Sequence, residues 1–174
     1  MSVTFQASCP AVSPCGGDVV GAWVYTGACI EDVAFTSVWD QACGVGKTVF
    51  SNKAGSVQGT MTFDGVEVTR VETSQLSYRA TVSTGACVSG CALLPSFLPS
   101  FASGTCALSS GKCVCDLTAN IGNNTSGTYT VDAGVINSGT IQARYCRSGT
   151  SFSFRDQSST PLAGSFTVGY SGPP

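Results

Sequence analysis

The sequence predicts an all-β fold: a single disulfide-stapled antiparallel β-barrel, with a β-sandwich as the alternative. Three observations carry this. Apolar and polar residues alternate through most of the 174-residue chain, the period of a strand with one buried face. Turn-forming residues interrupt the alternation at intervals of about 8–12 residues, the spacing of small barrels and sandwiches. Ten cysteines, an even number, are enough for five bridges. The length suits one domain with one sizeable core, and no repeat of solenoid length is present.

Residues 1–17 hold two Cys, two Pro and two Gly and read as an extended lead-in stapled to a barrel domain at 18–170. Residues 56–63 are the clearest strand, with Val57, Gly59, Met61 and Phe63 on one face. Asp64-Gly65 is a hairpin signal, and 66–72 form the return strand. Residues 75–83 alternate again, with Leu76, Tyr78, Ala80 and Val82 inward. A Cys/Pro-rich apolar insert follows at 87–113. Within it, 91–103 carry Leu94, Phe97, Leu98 and Phe101 at helical spacing, but Pro95 and Pro99 limit any helix to a turn or two. Residues 114–121 read as a strand with Cys115, Leu117, Ala119 and Ile121 on one face, and Gly122-Asn123-Asn124 as a turn. Further strands are expected at 127–132, 135–136, 140–146, 151–155 and 164–170. Phe152 and Phe154 alternate with Ser and point inward in the first of the last two, and Phe166, Val168 and Tyr170 fall on one face of the second.

Composition narrows function more by exclusion than by selection. Charged residues are 10% of the chain, against about 25% in ordinary globular proteins. Eight scattered cations against ten acids make no basic stripe for a nucleic acid. The absence of His removes Ser-His-Asp and Cys-His hydrolases and His-ligated zinc enzymes. The acids Glu31, Asp32, Asp40, Asp64, Glu67, Glu72, Asp116, Asp132 and Asp156 show no calcium-loop spacing, and Glu31-Asp32 reads as a solvated loop. Gly44-Val45-Gly46-Lys47-Thr48 lacks the first Gly of a phosphate loop and precedes a strand. Asn123 and Asn124 form two overlapping glycosylation acceptors. No run approaches a transmembrane helix.

The cysteines are Cys9, Cys15, Cys29, Cys43, Cys87, Cys91, Cys106, Cys113, Cys115 and Cys146. Their density, with few charges, predicts disulfides and an extracellular or cell-surface location. Outer-membrane anchoring and the periplasm are the narrower options. A thiolate zinc site is the competitor, but Cys113-Val114-Cys115 does not match the paired knuckles of structural zinc. Cys113 and Cys115 share a strand face and are expected to reach separate partners; the pairing itself is not legible.

Gly21-Ala22-Trp23 on the first strand resembles the Gly-x-Trp signature of lipocalins and related barrels. More of the chain agrees: residues 15–23 followed by Cys29, the insert ending Gly111-Lys112-Cys113-Val114-Cys115, Gly127-Thr128-Tyr129, and Tyr145-Cys146-Arg147-Ser148-Gly149. Together they are similar to Cys-rich secreted or lipid-anchored lipocalin-like proteins of the myxobacterial type, over residues 15 to 170. The resemblance implies a lipocalin-like barrel whose Trp23 closes the floor. A cation from the last part of the barrel would pack across the indole, with Arg144, Arg147 and Arg155 as candidates. It implies no particular activity. The lipid-attachment sequence of that group is not visible, since Gln6-Ala7-Ser8-Cys9 lacks a preceding apolar stretch.

The expected function is a secreted or cell-surface, non-catalytic lipocalin-like protein that binds a small hydrophobic ligand or a surface partner. Trp23, Met61, Phe63, Tyr78, Tyr129, Phe152 and Phe154 are the candidate ligand-binding residues. A barrel of about eight strands either fills with such side chains or holds one small ligand. Leu94, Phe97, Leu98 and Phe101 are the candidate lid or partner surface. The alternative is a structural subunit of an extracellular filament, coat or matrix, self-associating through residues 1–17. No cofactor, metal ion or catalytic residue is expected.

Overall fold

The longest alternating runs become the longest strands. The computed structural model describes residues 1–87, 91, 102–139, 141–156 and 164–174. In chain order its elements are β1 (Val3–Gln6), β2 (Gly21–Glu31), α1 (Val33–Cys43), β3 (Thr48–Phe63), β4 (Glu67–Ser83), β5 (Ala102–Ser109), β6 (Lys112–Asp132), β7 (Val135–Ser138), β8 (Ile141–Ser148), β9 (Ser151–Asp156) and β10 (Gly164–Gly172). On β4 every second residue from Val68 to Val82 is buried, which is the period-two pattern realised over eight inward positions.

The strands pair in the order β2-β10-β9-β8-β7-β6-β4-β3, and β3 returns to β2. Residues 21–24 of β2 pair with 60–63 of β3, so eight antiparallel strands form a closed ring. β5 adds to the lower half of β6, from Lys112 to Ala119. The expectation of a wholly antiparallel sheet needs one correction: β1 runs parallel to β2, with Val3 opposite Ala28 and Gln6 opposite Glu31. β1 fills the region where β2 and β3 part. Val57 N donates to Met1 O at 3.1 Å, and Ser2 bridges to Ser56. The N-terminal strand thus joins its own sheet.

Two further expectations change. Gly122-Asn123-Asn124 is not a turn: β6 runs unbroken through it, because these residues lie in register against Thr73, Glu72 and Val71 of β4, and the ladder hydrogen bonds override local turn preference. The helix α1 departs from the all-β expectation and forms although Val33, Thr36 and Val38 are β-branched and weaken helix propensity. Its buried face is Phe35, Trp39 and Cys43, spaced four residues apart. That face packs on Phe50 of β3 and Tyr78 of β4, with Phe35–Tyr78 centroids 4.7 Å and Trp39–Phe50 6.3 Å apart. Tyr170 shares the inner face with Phe166 and Val168 as expected: it pairs with Trp23 and meets the indole edge-on at 5.3 Å, while remaining 43% exposed at the end of that pairing.

Two glycines are required by close approaches. Gly59 has φ 143°, and a Cβ there would lie 2.0 Å from Val71 O, so β3 and β4 meet more closely than any side chain permits. Gly17 has φ 108°, and its Cβ would lie 2.9 Å from Arg147 Cβ. It lets the N-terminal segment turn tightly beside β8.

Candidate functional site

At one end of the ring the expected aromatic residues pack on one another. Trp23 is fully buried and meets Phe152 edge-on at 4.8 Å. Phe63 meets Tyr129 at 5.0 Å and Phe152 at 6.2 Å, and Met61 is buried beside Trp23 on the paired strand. Phe154 continues the stack to Phe166 at 5.3 Å. Tyr78 lies at the other end, where its hydroxyl accepts from Trp39 Nε1 at 3.3 Å. Leu94, Phe97, Leu98 and Phe101 lie outside the described residues.

Among the three candidate cations for Trp23, Arg147 is the one in place. Its guanidinium carbon sits 5.3 Å from the indole centroid, and Nη1 donates to Asp18 O. Trp23 Nε1 donates to Val19 O at 2.8 Å, so one short segment, 18–23, supplies both anchors. Arg147→Met keeps the stem and removes the charge. It is expected to cost about 0.5–2 kcal/mol, the range for a cation over an indole, read as a lowered urea midpoint with an unchanged slope. An unchanged midpoint would mean the contact contributes nothing.

Midway along the ring lies a charged layer that the sequence reading did not single out. Arg70, Glu72 and Ser74 occupy successive inward positions of β4, in phase with Val68 and Leu76. Arg70 Nη2 and Nε reach Glu72 Oε2 at 2.5 and 2.9 Å, and Nη1 reaches Asp156 Oδ2 at 2.7 Å. Tyr25 donates to Glu72 Oε2 at 2.8 Å and accepts from Arg70 Nε at 2.9 Å. Ser74 donates to Glu72 Oε1. The guanidinium is flanked by Phe154 and Phe166, each centroid 5.8 Å away. Burial raises the Tyr25 hydroxyl pKa well above its ordinary value. Burial also acts to lower that of Arg70, but its anionic and hydroxyl neighbours outweigh this and raise it.

The outer face carries the groove. Residues 10–14 begin and end with proline, which fixes φ and removes two backbone donors. This strap crosses the sheet between two disulfides, Cys9–Cys29 and Cys15–Cys146. At its far end Cys15 N donates to Tyr145 O and Arg147 N to Gly16 O. At its near end Cys9 N donates to Glu31 Oε1 at 3.0 Å, and Arg155 Nη2 bonds the same oxygen at 2.6 Å. Glu31 is therefore a buried strand-end carboxylate and not the solvated loop expected. Beneath the strap is a groove of about 570 Å³. Its floor is Gly27, Cys29, Cys146, Ser153, Ser165 and Thr167, and its roof is Pro10, Ala11, Val12 and Ser13. A bulge at Thr26 sets this floor: residues 167 and 168 of β10 pair with 27 and 25 of β2. Gly27 therefore faces out while Tyr25 faces in.

Burial pushes the Glu31 carboxyl up, but the bonds from Arg155 and Cys9 outweigh it and leave its pKa below the usual range. Its contribution to stability is therefore present above about pH 4.3, the unfolded value, and is lost as pH falls through the lower folded value. Urea midpoints measured from about pH 5 to about pH 2 should fall further for the parent protein than for Glu31→Gln. Parallel curves would remove Glu31 from the acid response.

All ten cysteines pair: besides the two strap bridges, Cys43–Cys87, Cys91–Cys113 and Cys106–Cys115. Cys113 and Cys115 do share a face, with sulfurs 3.8 Å apart, and go to separate partners. The sulfurs of Cys106, Cys113 and Cys115 lie within 4.8 Å of one another, but each is held in a disulfide rather than available as a thiolate ligand. Five disulfides mark a protein of an oxidising compartment. Among the described residues, no helix is long and apolar enough to cross a membrane.

No family model, curated protein or solved structure matches this chain. Its functional reading therefore rests on its own geometry.

Proposed function

We propose that this is a secreted or cell-surface, non-catalytic, lipocalin-like binding protein that holds a small ligand in the groove beneath its N-terminal strap. One observation carries the reading: the strap is fixed by a disulfide at each end, yet leaves about 570 Å³ between itself and the sheet. That volume lies in the range of small-molecule sites, about 300–1,000 Å³. A strap serving only to clasp the sheet would pack against larger outward side chains. The Trp23–Arg147 pair at one end of the ring supports the lipocalin-like reading. The lining residues offer no titrating group, which supports binding without acid–base catalysis.

Native mass spectrometry of the oxidised protein, purified from a secreting host without denaturation, tests this. The expected result is a monomer carrying a releasable small molecule. Regular fibres under negative-stain microscopy, with no bound molecule, would overturn it in favour of a structural subunit built by self-association.

A further inference from the structure

We infer that the groove accepts a neutral, hydroxyl-rich ligand: a short saccharide chain laid across the strands under the strap. This rests on the binding reading above and specifies its chemistry. Gly27 of β2, Thr167 of β10, Ser153 of β9 and Cys146 of β8 are direct cross-strand neighbours. They form one outward row spanning three strand spacings, about 14 Å at about 4.8 Å each. Cys146 ends this row, and Cys29 lies two residues along β2 from its other end. The strap is anchored to both, so it runs over the row.

The chemistry of the lining selects the ligand. The floor and near wall offer hydroxyls, Ser2, Thr4, Ser153, Ser165 and Thr167, each able both to donate and to accept. Ser153 Oγ and Thr167 Oγ1 already lie 3.2 Å apart, a pair spaced to share a ligand hydroxyl. The roof is apolar at Pro10, Ala11 and Val12. A pyranose ring has the complementary shape, with an apolar C–H face and a rim of hydroxyls. No lining residue carries a formal charge, so a charged ligand would lose its hydration without gaining a counterion.

The test uses the intact, oxidised chain. Neutral trisaccharides (cellotriose, maltotriose and triacetylchitotriose) and the charged trigalacturonate are titrated by saturation-transfer NMR and calorimetry. At least one neutral trisaccharide should bind, and trigalacturonate should bind at least about tenfold more weakly. Gly27→Leu fills the floor, and it has room: a Cβ at Gly27 would meet only Thr167, at 3.4 Å. It should abolish binding with an unchanged melting temperature. Should Gly27→Leu not fold, Ser153→Val/Thr167→Val keeps the outline, removes the hydroxyl pair, and should weaken binding at least about tenfold. Equal or tighter binding of trigalacturonate overturns the neutral class, and binding unaffected by these variants overturns the site. If no saccharide binds while native mass spectrometry finds another small molecule, the saccharide class fails and the binding reading stands. If neither is found, both fail.

Discussion

Arg70→Met is expected to lose about 3–5 kcal/mol of folding stability, the cost of breaking a buried ion network by removing one partner. Arg70 is 3% exposed and bonds two carboxylates and a tyrosine hydroxyl. Methionine fills similar space between Phe154 and Phe166, so packing changes little and the loss comes from charge. Glu72 keeps Tyr25 and Ser74 as donors but faces an apolar wall without its cation, and Asp156 loses its bond to Nη1. The triple variant Arg70→Met/Glu72→Leu/Asp156→Leu removes the charges together and should recover most of the loss, because the layer then carries no buried ion to desolvate and keeps only the Tyr25 and Ser74 hydroxyls as polar groups. Urea unfolding at neutral pH reads both. If Arg70→Met unfolds at the parent midpoint, the network contributes nothing to stability. If the triple variant is worse than the single, the layer's value lies in its hydrogen bonds and shape rather than in balanced charge.

The same layer shows which parts of this fold are legible in sequence. Leu76, Tyr78, Ala80 and Val82 could be placed inward because alternation of apolar and polar residues marks a half-buried strand. Arg70 and Glu72 obey the same phase, two and four residues after Val68, yet polar residues in a strand are ordinarily assigned to water. Only their register against Thr125 and Asn123 of β6 and the aromatic wall opposite show them to be interior. The helix α1 was obscured by its β-branched residues, although Phe35, Trp39 and Cys43 repeat at four. Gly122-Asn123-Asn124 misled in the other direction, since turn chemistry yields to a 17-pair ladder with β4. The groove could not be read at all. Its floor is small outward residues, which carry no periodic signal, and its roof depends on which cysteines pair. Cys15 and Cys146 are 131 residues apart, and nothing local to either names the other.

That long-range bridge should also be the costliest to remove. In the chain-entropy account, closing a loop of about 131 residues contributes about 5 kcal/mol, and a loop of about nine residues about 2.6 kcal/mol. The separations here are 131 for Cys15–Cys146, 44 for Cys43–Cys87, 22 for Cys91–Cys113, 20 for Cys9–Cys29 and 9 for Cys106–Cys115. Paired Cys→Ala variants should therefore lose melting temperature in that order. The two strap bridges should differ from the rest in a second readout. Without Cys15–Cys146 the strap keeps the Cys15 N to Tyr145 O and Arg147 N to Gly16 O bonds, but these are open to exchange once the covalent tie is gone. Amide exchange at positions 15 and 147 should then accelerate well beyond that of β4. Removing Cys106–Cys115, which only ties neighbouring positions on β5 and β6, should leave that exchange unchanged. If the Cys106–Cys115 variant melts lower than the Cys15–Cys146 variant, loop closure does not set the stability of this protein, and the strap is held by its backbone bonds rather than by its sulfurs.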